Sequence, residues 1–138
     1  MIIRQKQFEV LQEVADKNFV ERIVGHLQEK HASLAVELPS GKLIVSDIPV
    51  ETLHRLVSGG VAQAREYGIT WETNLTSFVV MMFIASPNFH LHSAVNAILQ
   101  DEDVKSEDRV DRLVENITEA EWQDAKESYD PQAWNLNA

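Results

Sequence analysis

The chain contains no cysteine. That excludes a disulfide framework, thiolate zinc sites and cysteine nucleophiles, and it is compatible with a reducing compartment. Long hydrophobic runs are missing too. The longest nonpolar stretch covers residues 78–85, far short of the roughly 20 apolar residues that span a bilayer. It reads as a buried core helix, and no membrane partner is expected. The charges among residues 1–8 are followed by no apolar h-region, so no secretory signal is read there and a cytoplasmic protein is expected. Basic residues are scarce, 12 Lys and Arg against 22 Asp and Glu, for a net charge of −10. Such a surface repels phosphates, which disfavours nucleic acid as a partner.

What is present suits one globular domain. A chain of 138 residues is near the commonest domain size and buries enough surface to need no staple. The charge is unevenly spread. Residues 1–70 hold nine acids and eight bases, residues 71–100 hold only Glu72, and residues 101–130 hold 12 acids against Lys105, Arg109, Arg112 and Lys126. An acidic last third attracts basic partners and speeds encounter with them, although solubility alone would also explain it.

Apolar spacing sets out the elements. Phe8, Leu11, Ala15, Phe19, Ile23 and Leu27 recur at helical steps, predicting an amphipathic helix over 5–30. Two short β-rich runs flank Pro39-Ser40-Gly41, and 33–46 reads as a small hairpin that must pack on helices. Ser46 or Asp47 is expected to cap the next helix, with Pro49 in its first turn. Its stripe is Val50, Leu53, Leu56, Val57, Val61 and Ala64. Gly59-Gly60 predicts a kink or a close helix crossing, and Gly68 a C-terminal stop. Thr70 is expected to cap a helix over 70–85 that is apolar nearly all round and so central. Ser86-Pro87-Asn88 stops it, and Phe89 is expected to plug back into the core. A shorter helix is read at 91–100. Ser106 is expected to cap another, burying Val110, Leu113, Val114 and Ile117. Thr118-x-x-Glu121 reads as a capping box for the last helix, with Trp122 and Ala125 inward. An irregular tail covers 129–138. The fold class is therefore mainly α: about five or six helices around the apolar helix 70–85, with the hairpin at 33–46.

Catalytic signatures are absent. Ser58 lies beside two glycines with His54 one turn earlier, but no strand-to-helix elbow precedes it, so a kinked helix with an ordinary polar face is the better reading. His90-x-His92 is a weak metal candidate, since no third ligand stands at a specific spacing and a loop with surface histidines accounts for it. Asp101-x-Asp103-x-Lys105 lacks the glycine of a calcium loop. The many carboxylates between Asp101 and Asp130 fall on solvated helix faces. No catalytic residue, cofactor or metal is assigned. Trp122, Tyr129 and Trp134 resist the bland account, because such aromatics are enriched at interface hot spots; the alternative is that they fold back on the bundle. Glu119, Glu121, Asp124, Glu127, Tyr129, Asp130 and Trp134 are the candidate partner-binding residues.

One set of motifs resembles a known group. Ala64-Arg65-x-Tyr67-Gly68-Ile69-Thr70-x-Glu72, then Phe78 and Met82-Phe83, then Ser86-Pro87-Asn88-Phe89, then Ile98-Leu99-x-Asp101, is similar to small bacterial proteins encoded beside type VI secretion spikes and PAAR-tipped toxins. The opening Ile3-Arg4-x-x-Gln7-x-x-x-Leu11 and the stretch 19–26 fit as well. The 33–46 segment is longer than the link expected there, and Ser86 stands where a glycine is common. The resemblance implies a secretion or toxin accessory and carries no activity over, because its motifs are caps, glycine stops and core residues. The expected function is thus a non-enzymatic adaptor or chaperone that holds an effector, toxin or spike component bearing a basic or apolar patch. An immunity protein laying acids over a cognate toxin is the rival, and an enzyme built on His90 and His92 ranks below both. A homo-oligomer is left open.

Overall fold

The computed structural model describes residues 5–134, with side chains from residue 15 onward. Phe8 and Leu11 of the first stripe, the opening 3–11 motif and residues 135–138 of the tail lie outside the described side chains. The described residues form six helices and one hairpin: α1 Gln5–Lys30, β1 Ala35–Leu38, β2 Gly41–Ile44, α2 Val50–Glu66, α3 Glu72–Ile84, α4 Ser93–Leu99, α5 Ser106–Asn116 and α6 Glu119–Glu127. No helix among them is long and apolar enough to cross a membrane.

The expected mainly helical class and the hairpin are both observed. β1 and β2 pair antiparallel, with Ala35 opposite Ile44 and Leu38 opposite Gly41. Val36 and Leu38 are buried while Ala35 and Glu37 are exposed, the alternation expected of a strand with one face on a core. On α1 the buried face is Phe19, Val20, Ile23, Val24 and Leu27. Ala15 is exposed, because the packed stripe turns toward Val20 and Val24.

Contact between α2 and α3 organises the bundle. Leu53, Leu56, Val57, Val61 and Ala64 of α2 and Leu75, Phe78, Val79, Met82 and Phe83 of α3 are all buried. The glycine pair causes no break, since α2 runs unbroken from Val50 to Glu66. Of the two expected outcomes, the close crossing is the one seen. A Cβ on Gly60 would stand 3.0 Å from Met82 Sδ and 3.1 Å from Val79 Cγ2. Each glycine costs about 1 kcal/mol relative to alanine in a helix interior, and Gly60 offsets that cost by letting the two backbones approach.

Helix ends follow the sequence in part. At the end of α2 the Gly68 N–H donates to Arg65 O at 2.9 Å and the Ile69 N–H to Ala64 O at 3.3 Å. This is the Schellman pattern, with Gly68 at φ +82°. Thr118 and Glu121 make the expected capping box: Thr118 Oγ1 accepts from Glu121 N at 3.1 Å, and Glu121 Oε1 accepts from Thr118 N at 3.0 Å. Three other expected caps are corrected. Ser46 and Asp47 belong to a 3-10 turn, and Pro49 itself precedes α2, outside its first turn and with no side-chain cap. Trp71, not Thr70, precedes α3, and Lys105, not Ser106, precedes α5. In both cases the first intrahelical bond goes to the residue just after, or just before, the hydroxyl: Leu75 N to Trp71 O and Asp108 N to Lys105 O, each 2.9 Å. α4 starts two residues later than read, and there the cap is His92, whose Nδ1 accepts from Ala94 N at 3.2 Å.

The Ser86-Pro87-Asn88-Phe89 turn stops α3 and pins the C-terminal third. Phe89 is fully buried between Phe78 and Trp122, with centroids 5.0 Å and 6.1 Å away. Ser86 Oγ donates to Ala125 O at 3.1 Å. Asn88 donates to Ser128 O and accepts from Asp130 N, at 2.9 and 3.0 Å. Val110, Leu113 and Ile117 are buried on α5, whereas Val114, expected to join them, is 66% exposed. Arg109 ties three chain segments together. Its Nη1 donates to Tyr67 O and Leu99 O and its Nε to Val104 O, at 3.0–3.3 Å. The cation thereby sits at the carbonyl ends of α2 and α4, where the helix dipoles favour it.

Candidate interaction surface

Helix α3 is more apolar than one buried face requires. Its inner side fills the core, but Val80 and Met81 are half-buried and Ile84 is 45% exposed. Helix α6 lies alongside, positioned by the capping box, by Ser86 at Ala125 and by Asn88 at Ser128. Between them runs a groove of about 430 Å³ lined by Met81, Ile84, Ala85, Glu119, Trp122, Gln123 and Lys126. The half-buried Trp122 ring rests on Phe89 and forms one wall. Glu119, Trp122, Gln123 and Lys126 fall at i, i+3, i+4 and i+7, one face of α6. The floor is apolar, and α6 carries acids on and beside its rim.

The expected partner-binding residues separate into two groups. Glu119 and Glu127 are exposed on α6, with Gln123 Nε2 donating to Glu127 Oε1 at 3.4 Å. Asp124, Glu121 and Asp130 each hold a bond within the fold. Asp124 Oδ2 meets His92 Nε2 at 2.8 Å. The Glu121 carboxylate is held below its ordinary pKa by the Thr118 backbone and hydroxyl of the capping box. Asp130 Oδ1 accepts from Gln132 N at 3.0 Å.

Trp134 is corrected outright. Its ring is only 4% exposed, packed 4.8 Å from Phe83, so it offers no surface to a partner. Phe83 of α3 and the Tyr129 hydroxyl hold the indole there, and the single 3-10 turn Pro131–Trp134 carries it in. Tyr129 is likewise internal in role. Its hydroxyl accepts from Glu37 N at 3.1 Å, donates to Glu37 O at 2.8 Å and accepts from Trp134 Nε1 at 2.8 Å. It occupies the outer edge of β1, which an edge strand otherwise leaves open to foreign pairing. Burial pushes the Tyr129 pKa up.

The two weak metal candidates point to separate tasks. His92 uses both ring nitrogens, one on Ala94 N and one on Asp124. His90 is buried, with Nδ1 2.9 Å from Tyr67 Oη and its backbone carbonyl accepting from Asn96 Nδ2 at 3.1 Å. Burial lowers the His90 pKa and raises that of Tyr67, which favours a neutral ring that accepts a hydrogen bond from the neutral Tyr67 hydroxyl. Among the described residues no group of three His, Asp or Glu side chains converges as metal ligands would. His54 and Ser58 share a second hollow, on α2, with Arg55, Glu66, His90 and Trp134.

The groove was not read from the sequence as a site. Its signals in the sequence are the apolar character of 70–85, which burial alone also explains, and Glu119 and Trp122 of the acidic last third. No family model, curated protein or solved structure matches the chain.

Proposed function

We propose that the chain is a non-enzymatic, protein-binding accessory of a bacterial secretion or toxin system, acting as an adaptor or chaperone in the cytoplasm. The observation that carries the reading is the α3–α6 groove. An apolar floor of Met81, Ile84 and Ala85 with a Trp122 wall suits side chains that anchor a partner, since clustered aromatic and aliphatic contacts dominate binding energy. Residues 101–130, with 12 acids against four bases, supply electrostatic attraction for a basic flank. The fitting partner is a segment with apolar anchors and neighbouring lysines or arginines. The secretion context rests on the resemblance of the motifs between Ala64 and Asp101.

The same acidic surface favours a second reading, an immunity protein that covers the basic active site of a cognate toxin. Calorimetric titration against separate fragments of a candidate toxin, taken from an adjacent gene where one encodes it, distinguishes the two. An adaptor binds the loading region, and its deletion stops secretion while the producer stays healthy. An immunity protein binds the toxic domain, and its deletion leaves sibling cells sensitive. Binding to neither fragment contradicts both.

A further inference from the structure

The outward face of α2 is its own complement. Arg55, Gly59, Ala62 and Glu66 follow each other at steps of four, three and four and so share one face, with Ser58 and Gln63 beside them. All are exposed except the half-buried Gln63, which donates to Glu66 Oε2 at 3.3 Å. Together they border a hollow of about 460 Å³. In an antiparallel helix pair related by a two-fold axis, an axis passing between Gly60 and Val61 sets Arg55 against the partner's Glu66. The same axis sets Gly59 against the partner's Ala62. Each residue meets a complementary one, twice over, as an isologous interface demands.

Two further observations agree. Helix α2 is locally neutral, with Glu51 and Glu66 against Arg55 and Arg65, whereas residues 101–130 hold 12 acids and four bases. The net charge of this helix therefore sets up no repulsion between two copies. Gly59 also lacks an internal reason. A Cβ there would meet nothing within 4 Å, unlike one on Gly60. A helix interior disfavours glycine, and at Gly59 the missing side chain leaves open space into which a second backbone can approach.

We infer that the chain forms a two-fold dimer through antiparallel α2 helices, crossing at Gly59 and Ala62 with reciprocal Arg55–Glu66 pairs at both ends. This is independent of the α3–α6 groove, which shares no residue with the α2 face.

Sedimentation equilibrium of the full chain, from low micromolar to near-millimolar concentration at physiological salt, tests it. The expected species approaches twice the 15.7 kDa protomer mass. R55E and E66R each weaken the dimer by about tenfold or more, because like charges then meet at both ends. The double reversal R55E/E66R recovers the wild-type dissociation constant. G59L gives a monomer with unchanged far-UV circular dichroism. A wild-type monomer throughout, a dimer indifferent to the single reversals, or a double reversal that recovers nothing would each overturn the inference.

Discussion

Single side chains hold the C-terminal third of the molecule in place, and Tyr129 is the plainest case. One hydroxyl serves both backbone groups of Glu37 and the Trp134 indole. Tyr129→Phe keeps the ring and leaves those groups to find water, so it should cost about 1–2 kcal/mol, read as a lower urea midpoint with an unchanged slope. His90 gives a pH signature. Its folded pKa lies below the ordinary 6.5 because burial disfavours the charged ring. Below that value the unfolded chain takes up a proton that the folded chain refuses. Stability therefore falls as pH drops from about 6.5 and levels off once the folded ring titrates. Urea unfolding at stepped pH should show a steeper loss for wild type than for His90→Gln across that window. Parallel curves would remove His90 as the cause.

Elements meet through their ends and crossings. Arg109 closes the carbonyl ends of α2 and α4 along with Val104. Hydrogen bonds to a charged group contribute about 1.5–3 kcal/mol each and do not add fully, so Arg109→Ala should lose about 3 kcal/mol. Lysine should recover only part, since a point charge cannot reproduce the fork. The two glycines of α2 should respond in opposite directions. In the Arg55→Glu background, Gly59→Ala should gain about 1 kcal/mol of helix stability. Gly60→Ala should lose stability, since its methyl must displace Met82 and Val79. Equal gains in thermal unfolding would contradict the close crossing.

Much of this scale was legible in the sequence. The hairpin, the capping box, the Gly68 stop and the buried Phe89 all follow from local chemistry. Two of the three corrected caps share a cause: Thr70 and Ser106 each lie one residue from the true boundary, where hydroxyl chemistry alone does not fix the frame, whereas Ser46 and Asp47 are taken up by a 3-10 turn. Val114 was misplaced because the spacing along α5 cannot say where the neighbouring helices stop covering it. Trp134 and Tyr129 were undecidable from sequence, since their partners Phe83 and Glu37 lie far away along the chain.

At the scale of the whole molecule, charge and apolar surface are divided among faces. The acids gather on the last two helices. The α3–α6 groove opens beside them, and the α2 face is neutral. Binding at the proposed groove should therefore weaken as salt is raised, because the acidic 101–130 surface beside it would steer a basic partner while the apolar floor holds it. The decisive measurement is the affinity of the wild-type chain and of Ile84→Asp for the protein partner proposed above, once it is captured by pull-down from the native cell. Ile84 is 45% exposed, so the substitution leaves the fold and its circular dichroism intact. A buried charge in the groove should raise the dissociation constant by a factor of about ten or more. An unchanged dissociation constant would contradict the groove as the binding site.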